Sequence, residues 1–267
     1  MFRNRELTLR QQKMLGDGEL EFFAPGRAPG VVAFHGFGGT AAELRPVLEA
    51  IAGAGYAVDA ALLKGHGTRV EDLQEATFDG WVDAARERVA AQTARHGRVV
   101  LLGFSLGSLV AMQIASERPE GLAGLVAAGN ALTVKPHTRW PFAIWEMSRR
   151  PMIDVYMLKP QAGDLVDRAM MGTLVTYDRH PLRSAREVWL AGPRVKAGVG
   201  RITCPTLVLH GRRDRVCSWR NASWLGEHVG TRDVSVRIFE KSAHVLCCDG
   251  ERDEVGREIV GWLGRLC

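Results

Sequence analysis

The chain has 267 residues, 46% hydrophobic and 24% charged, a balance typical of a globular protein with a full core. Its formal net charge of +5 comes from arginines scattered along the sequence, and without a polybasic run interleaved with aromatics, nucleic-acid binding has little support. No stretch approaches the roughly 20 apolar residues of a membrane span, which argues against stable membrane insertion.

Five cysteines (Cys204, Cys217, Cys247, Cys248 and Cys267) form no C-x-x-C pair and leave one over if the rest are paired. That argues for reduced thiols in a reducing compartment. The N-terminal MFRNRELTLRQQ has neither the apolar core nor the cleavage site of a signal peptide, so the expectation is a cytoplasmic protein.

Leu7 to Met14 and Glu19 to Phe23 read as two strands around Gly16-Asp17-Gly18, an antiparallel start at a sheet edge. Pro25 to Gly30 reads as a loop, and Val31 to Phe34 as a buried strand running into His35-Gly36-Phe37-Gly38-Gly39-Thr40. Ala41 to Ala52 places Leu44, Val47, Leu48 and Ile51 on one helical face. A strand over Tyr56 to Leu63 ends in Lys64-Gly65-His66-Gly67, and a helix over Asp79 to Arg95 closes at His96-Gly97.

Val99 to Leu102 is an apolar run suited to a strand buried on both faces. Gly103-Phe104-Ser105-Leu106-Gly107 follows at once, and Leu109, Val110, Met112 and Ile114 then fall at helical spacing. Strand, sharp turn and helix make the setting in which G-x-S-x-G presents a nucleophilic serine. Larger residues beside so tight a turn would strike the strand and helix, hence the glycines. The competing reading of Ser105 is a plain helix cap after a glycine-rich turn.

Another strand spans Gly121 to Ala128, after which the alternation breaks. Asn130 to Gly200 is rich in Pro, Trp, Met and Arg, with helical patches at Phe142–Ser148 and Gly163–Thr176 and no convincing strand. Regularity returns with a strand at Cys204 to Gly211, a helix at Trp219 to His228, a strand at Val234 to Glu240 and a closing helix at Asp253 to Leu266. The expected fold is α/β: a mostly parallel sheet with an antiparallel N-terminal hairpin and helices on both faces. Residues 1–130 and 201–267 form its core, and residues 131–200 are a helical cap or lid inserted into it. The apolar residues of that insertion, Trp145 and Met157 among them, either pack it onto the body or line an acyl-chain pocket.

A serine hydroxyl is too weak an acid to react alone at neutral pH; it needs a base, and the base needs an orienting carboxylate. Function in a parallel sheet gathers beyond the C-terminal strand ends. That places His244, in Lys241-Ser242-Ala243-His244-Val245, and Asp214, in His210-Gly211-Arg212-Arg213-Asp214, as base and acid in the chain order this turn type uses. Asp249 competes for the acid role, and Asp214 could instead simply pair with Arg212, Arg213 or Arg215. Amide donors for a developing oxyanion are expected at Phe37 and Leu106. His35 and His66 read as loop braces.

H-G-F-G-G, K-G-H-G, G-F-S-L-G, H-G-x-x-D and S-A-H-V together resemble the α/β-hydrolase superfamily, most of all its small bacterial carboxylesterases and monoacylglycerol lipases. The likeness runs from about Val31 to the C-terminus, apart from the insertion. It implies an α/β-hydrolase fold and hydrolysis of a small-molecule acyl ester, short- to medium-chain or a monoacylglycerol. The site it implies is Ser105, Asp214 and His244 as triad, with the Phe37 and Leu106 amides as oxyanion hole, and no cofactor or metal. Ser108 stands where the family often has a second glycine, and Cys247-Cys248 is an unusual pair behind the histidine.

Three other readings remain open at this point. A thioesterase or acyltransferase could use the same three residues. A dinucleotide binder could use Gly36-x-Gly38-x-x-Ala41 with Asp59 about 20 residues on. A non-hydrolytic ligand binder could share the fold. Nothing in the sequence sets the oligomeric state.

Overall fold

The fold is seen in a computed structural model that describes residues 20–137, 155–159 and 163–266. In chain order the elements are β1 (Phe22–Ala24), β2 (Arg27–Phe34), α1 (Arg45–Gly53), β3 (Tyr56–Ala60), α2 (Val70–Gln74), α3 (Phe78–His96), β4 (Val99–Phe104) and α4 (Leu106–Glu117). They continue with β5 (Leu122–Ala128), β6 (Tyr156–Leu158), β7 (Arg179–Pro181), α5 (Leu182–Gly198), β8 (Thr206–Gly211), α6 (Arg220–His228), β9 (Val234–Phe239) and α7 (Arg252–Gly264).

Among the described residues, seven strands form one sheet in the order β1-β3-β2-β4-β5-β8-β9, parallel throughout except for β1, which runs antiparallel to β3. Successive residues of the central strands face opposite sides, so each face needs its own helical cover. Val100 and Leu102 of β4 join Leu48 and Ile51 of α1 and Ile259 and Leu263 of α7 on one face. Val99 and Leu101 join Val82 and Val89 of α3 and Leu109 and Val110 of α4 on the other.

Register sets what can meet at the sheet's C-terminal edge. Phe34 of β2 lies opposite Gly103 of β4, so the His35–Gly39 turn and Ser105 leave the sheet side by side. Gly211 of β8 lies opposite Phe239 of β9, so the Asp214 and His244 loops are likewise neighbours.

Several local expectations change. Part of the Pro25–Gly30 loop is strand, because β2 begins at Arg27. The Leu7–Met14 strand lies outside the described residues; the strand expected over Glu19–Phe23 forms at Phe22–Ala24 and pairs with β3. Within 131–200 the helical patch at Phe142–Ser148 also lies outside the described residues, while Gly163–Thr176 holds only a short 3-10 stretch, Arg168–Thr173.

Contrary to the expectation of no strand in this segment, it contains an antiparallel ribbon, with Met157 of β6 opposite His180 of β7. Three-residue strands are too short to show the alternation that marks a strand in sequence. A further helix, α5, was not foreseen. Its Val188, Ala191 and Val195 belong to the same apolar cluster as α4, so this part of the insertion is built into the body.

Candidate active site

Ser105 sits between β4 and α4 at φ 53° and ψ −114°. A non-glycine residue in that region costs on the order of 1–3 kcal/mol and persists only where its surroundings enforce it. The enforcement is visible in the backbone. Ser105 N–H donates to Ala128 O at 3.1 Å, Gly107 N–H to His35 O at 3.1 Å and Ser108 N–H to Ser105 O at 3.0 Å. A methyl group on Gly103 would run into the Gly107–Ser108 backbone, and one on Gly107 into the Phe34 carbonyl. Both glycines are steric requirements of the turn. Ser108 fits because its hydroxyl turns inward and donates to Ser105 O at 2.6 Å.

Ser105 Oγ lies 2.9 Å from His244 Nε2, and His244 Nδ1 lies 2.7 Å from Asp214 Oδ2. An ionised carboxylate only accepts, so Nδ1 carries the proton and Nε2 is free to accept from the serine hydroxyl. The other carboxylate oxygen, Oδ1, accepts the Val216 and Cys217 amides, each at 2.7 Å. Burial pushes the Asp214 carboxyl up, but the charge of His244 and donors from His210 and His244 outweigh it and leave the group well below the usual carboxylate range. Burial alone would push the His244 imidazole down; the Asp214 charge and hydrogen bond overcome it and raise His244 above its ordinary value.

Leu106 is the first residue of α4, so its N–H has no acceptor within the helix. Phe37 lies in the turn beyond β2, and Gly36, Phe37, Ser105 and His244 all border one cavity of about 550 Å³. Apolar side chains, including Met157, Val134, Val188 and Trp189, line much of that cavity, and Glu43, Lys159 and Asp164 also border it. Trp145 lies outside the described residues.

The other candidates resolve individually. Asp249 is buried away from the imidazole; it accepts the amides of Ala243 at 2.7 Å and Asp167 at 2.8 Å. Arg212 and Arg215 pair with Glu240 and Asp164, not with the Asp214 carboxylate. His35 is a brace: Nε2 accepts the Leu63 amide at 3.0 Å and Nδ1 donates to Gly36 O at 2.8 Å, while burial holds the ring down at about 4. His66 is buried against Phe37 and Trp81, and burial lowers it well below the ordinary value. Asp59 is occupied by Arg88 and Gln92, and the Gly36 amide by Glu43, which removes two contacts a dinucleotide would need.

Residues 27–251 match the Hydrolase_4 family, described as serine aminopeptidase, S33. The chain belongs to this family. A thermostable monoacylglycerol lipase of Bacillus sp. (strain H-257) is 27% identical over 242 residues, 90% of this chain and 92% of the relative. A carboxylesterase of Bacillus subtilis (strain 168) is 22% identical over 237 residues, 88% of this chain and 92% of the relative. Among solved structures, one of the metagenome-derived lipolytic enzymes LipS and LipT superposes with a TM-score of 0.84 at 21% identity, covering 93% of this chain and 98% of that one. At that identity the likeness speaks for the fold, and the fold is that of an α/β-hydrolase.

Sequence reasoning passed over two side chains of this family member's site. His210 donates from Nε2 to Asp214 Oδ2 at 2.8 Å, with both side chains fully buried. It is the histidine of the H-G-x-x-D motif, four residues before the aspartate, and that spacing is the available signal. Asp164 accepts Arg215 N–H at 2.7 Å, Arg215 Nε–H at 2.6 Å and His244 N–H at 3.3 Å, tying the insertion to both loops. No local pattern marks it.

Proposed function

We propose that this protein is a serine hydrolase that cleaves carboxylic esters through an acyl-enzyme, with Ser105 as nucleophile, His244 as general base and Asp214 as its orienting carboxylate. The observation that carries the reading is the unbroken path from Ser105 Oγ through His244 to Asp214, opening on a largely apolar cavity. The full-length likeness to a monoacylglycerol lipase and a carboxylesterase supports esters as the substrate class.

His244 Nε2 takes the Ser105 proton as Oγ bonds to the ester carbonyl carbon. The carbonyl oxygen gains the negative charge and is held by the Phe37 and Leu106 amides. Collapse breaks the bond to the alcohol oxygen, and His244 returns its proton to that leaving group. Water then repeats the sequence on the acyl-enzyme and frees the acid. The proximity of the Asp214 charge stabilises the imidazolium formed in each half.

The acyl chain fits the apolar wall that includes Met157, and short- to medium-chain esters or monoacylglycerols suit a cavity of about 550 Å³. Residues 131–200 act as the lid of that cavity, within a core of 1–130 and 201–267. The compartment is cytoplasmic, a reading supported by the free thiols of Cys204, Cys217, Cys247 and Cys248. Among the described residues no helix is long and apolar enough to cross a membrane.

The test is a fluorophosphonate label mapped by mass spectrometry beside an ester chain-length panel. Label on Ser105, with turnover lost by at least about 10⁴-fold in Ser105→Ala, is expected. A Ser105→Ala protein that still hydrolyses p-nitrophenyl esters at the wild-type rate ends the reading.

A further inference from the structure

The cavity holds a buried carboxylate that the mechanism above leaves unused. Glu43 is 3% exposed, and its Oε2 accepts the Gly36 N–H at 3.0 Å. A methyl group on Gly36 would come within 2.8 Å of Oε2, and one on Gly39 would collide with the same carboxylate. The glycines on either side of Phe37-Gly38 are therefore the space in which Glu43 sits. Behind it, the Cys248 thiol donates to the Glu43 carbonyl oxygen at 3.2 Å, which gives Cys248 a bracing role.

The same turn is gripped from the insertion. Thr176 Oγ1 donates to Gly38 O at 2.9 Å and accepts from Lys159 Nζ at 2.7 Å. The Tyr177 amide also donates to Gly38 O, at 2.9 Å. Burial pushes the Glu43 carboxyl up and the Lys159 amine down, and the charge of each opposes the other's shift.

We propose that Glu43 is a positioning residue of the ester-cleaving site: it holds the Gly36 N–H while the Thr176 hydroxyl, itself held by Lys159, and the Tyr177 amide hold the Gly38 carbonyl, and so it fixes the Phe37 N–H that receives the oxyanion. This rests on the reading of Phe37 as a donor in an esterase. Preorganised donors act only if they do not have to move as charge develops, so the effect falls on the transition state rather than on substrate binding.

A second consequence is electrostatic. Asp214, Asp164 and Glu43 all raise the His244 imidazole. Glu43 itself faces Lys159 and His244, with the thiols of Cys247 and Cys248 beside it. Removing the Glu43 charge therefore lowers the His244 value.

The experiment compares wild type, Glu43→Gln and Glu43→Leu on one short-chain ester, with a trifluoromethyl ketone as transition-state analogue. Glu43→Leu is expected to lose about 100-fold in kcat with KM within about threefold, and the ketone to bind more weakly by the same factor as kcat. Glu43→Gln keeps an acceptor for Gly36, so its kcat stays within about tenfold of wild type, and the acid limb of kcat/KM moves to lower pH. Should Glu43→Leu not fold, Glu43→Ala, which also removes the acceptor for Gly36 and adds no bulk, is read in its place with the same expected losses. Wild-type kcat and ketone affinity in the variant without that acceptor overturns the inference by itself, and an unshifted limb in Glu43→Gln overturns its electrostatic consequence. A wild-type protein inert toward esters overturns the functional reading and the inference with it.

Discussion

His210 and His244 share one acceptor, Oδ2 of Asp214, at 2.8 and 2.7 Å. The two imidazoles approach from different elements: His210 from the end of β8, His244 from the loop after β9. With Oδ1 taken by the Val216 and Cys217 amides, four donors surround this carboxylate and no rotation of it is free. The proton on His244 Nδ1 is thereby directed at a single fixed oxygen.

Replacing His210 by Phe removes a buried hydrogen bond to a charged group, worth about 2 kcal/mol. The midpoint of urea unfolding should fall accordingly, with the slope unchanged. Turnover should drop by about tenfold, since the carboxylate that orients the base is held less firmly, a change of ~1.4 kcal/mol in the barrier. An unaltered midpoint and kcat would leave the shared acceptor without consequence.

The acid limb of kcat/KM should have its midpoint above the ordinary imidazole value. The sign follows from the role proposed for His244: once protonated it cannot accept the Ser105 proton, and its value in the folded protein is raised. Activity is therefore present above that raised value and lost as pH falls through it. Asp164→Asn takes away one of the charges responsible, so its limb should move to lower pH. The same variant weakens the hold on Arg215 and on the His244 backbone, and kcat at the plateau should fall by about tenfold. A pH–rate profile of both proteins reads the two effects separately.

Met157 borders the cavity from β6. Met157→Trp adds bulk to that wall and should cut kcat/KM for the longest esters tolerated by about tenfold, leaving acetate esters within about twofold. Met157→Ala should act in the opposite direction. Chain-length profiles of p-nitrophenyl esters that coincide for all three proteins would place the acyl chain elsewhere.

Much of this was legible because the body of the sheet follows local rules. Val99 to Leu102 is apolar at every position as a strand covered on both faces must be, and the glycines flanking Ser105 are forced by carbonyl and backbone atoms close by. His244 and Asp214 could be chosen among many candidates because strand ends gather function. The insertion obeyed no such rule. The ribbon of Tyr156–Leu158 and Arg179–Pro181 is made by pairing across an intervening stretch, and Asp164 matters through partners on two distant loops. Glu43 reads as an ordinary charged helix residue until the space above Gly36 and Gly39 is known. Pairings across the fold leave no periodic trace in a single chain.

Asp164 and Asp249 together stitch residues 164–167 to the loop that carries His244. Anyone exchanging the proposed cap for that of a relative, to borrow its substrate range, therefore keeps residues 164–167 with the body and must also rebuild the pairing of β6 with β7 at the new join. In chimeras that respect both seams a change in selectivity can be credited to the transplanted wall rather than to a displaced His244.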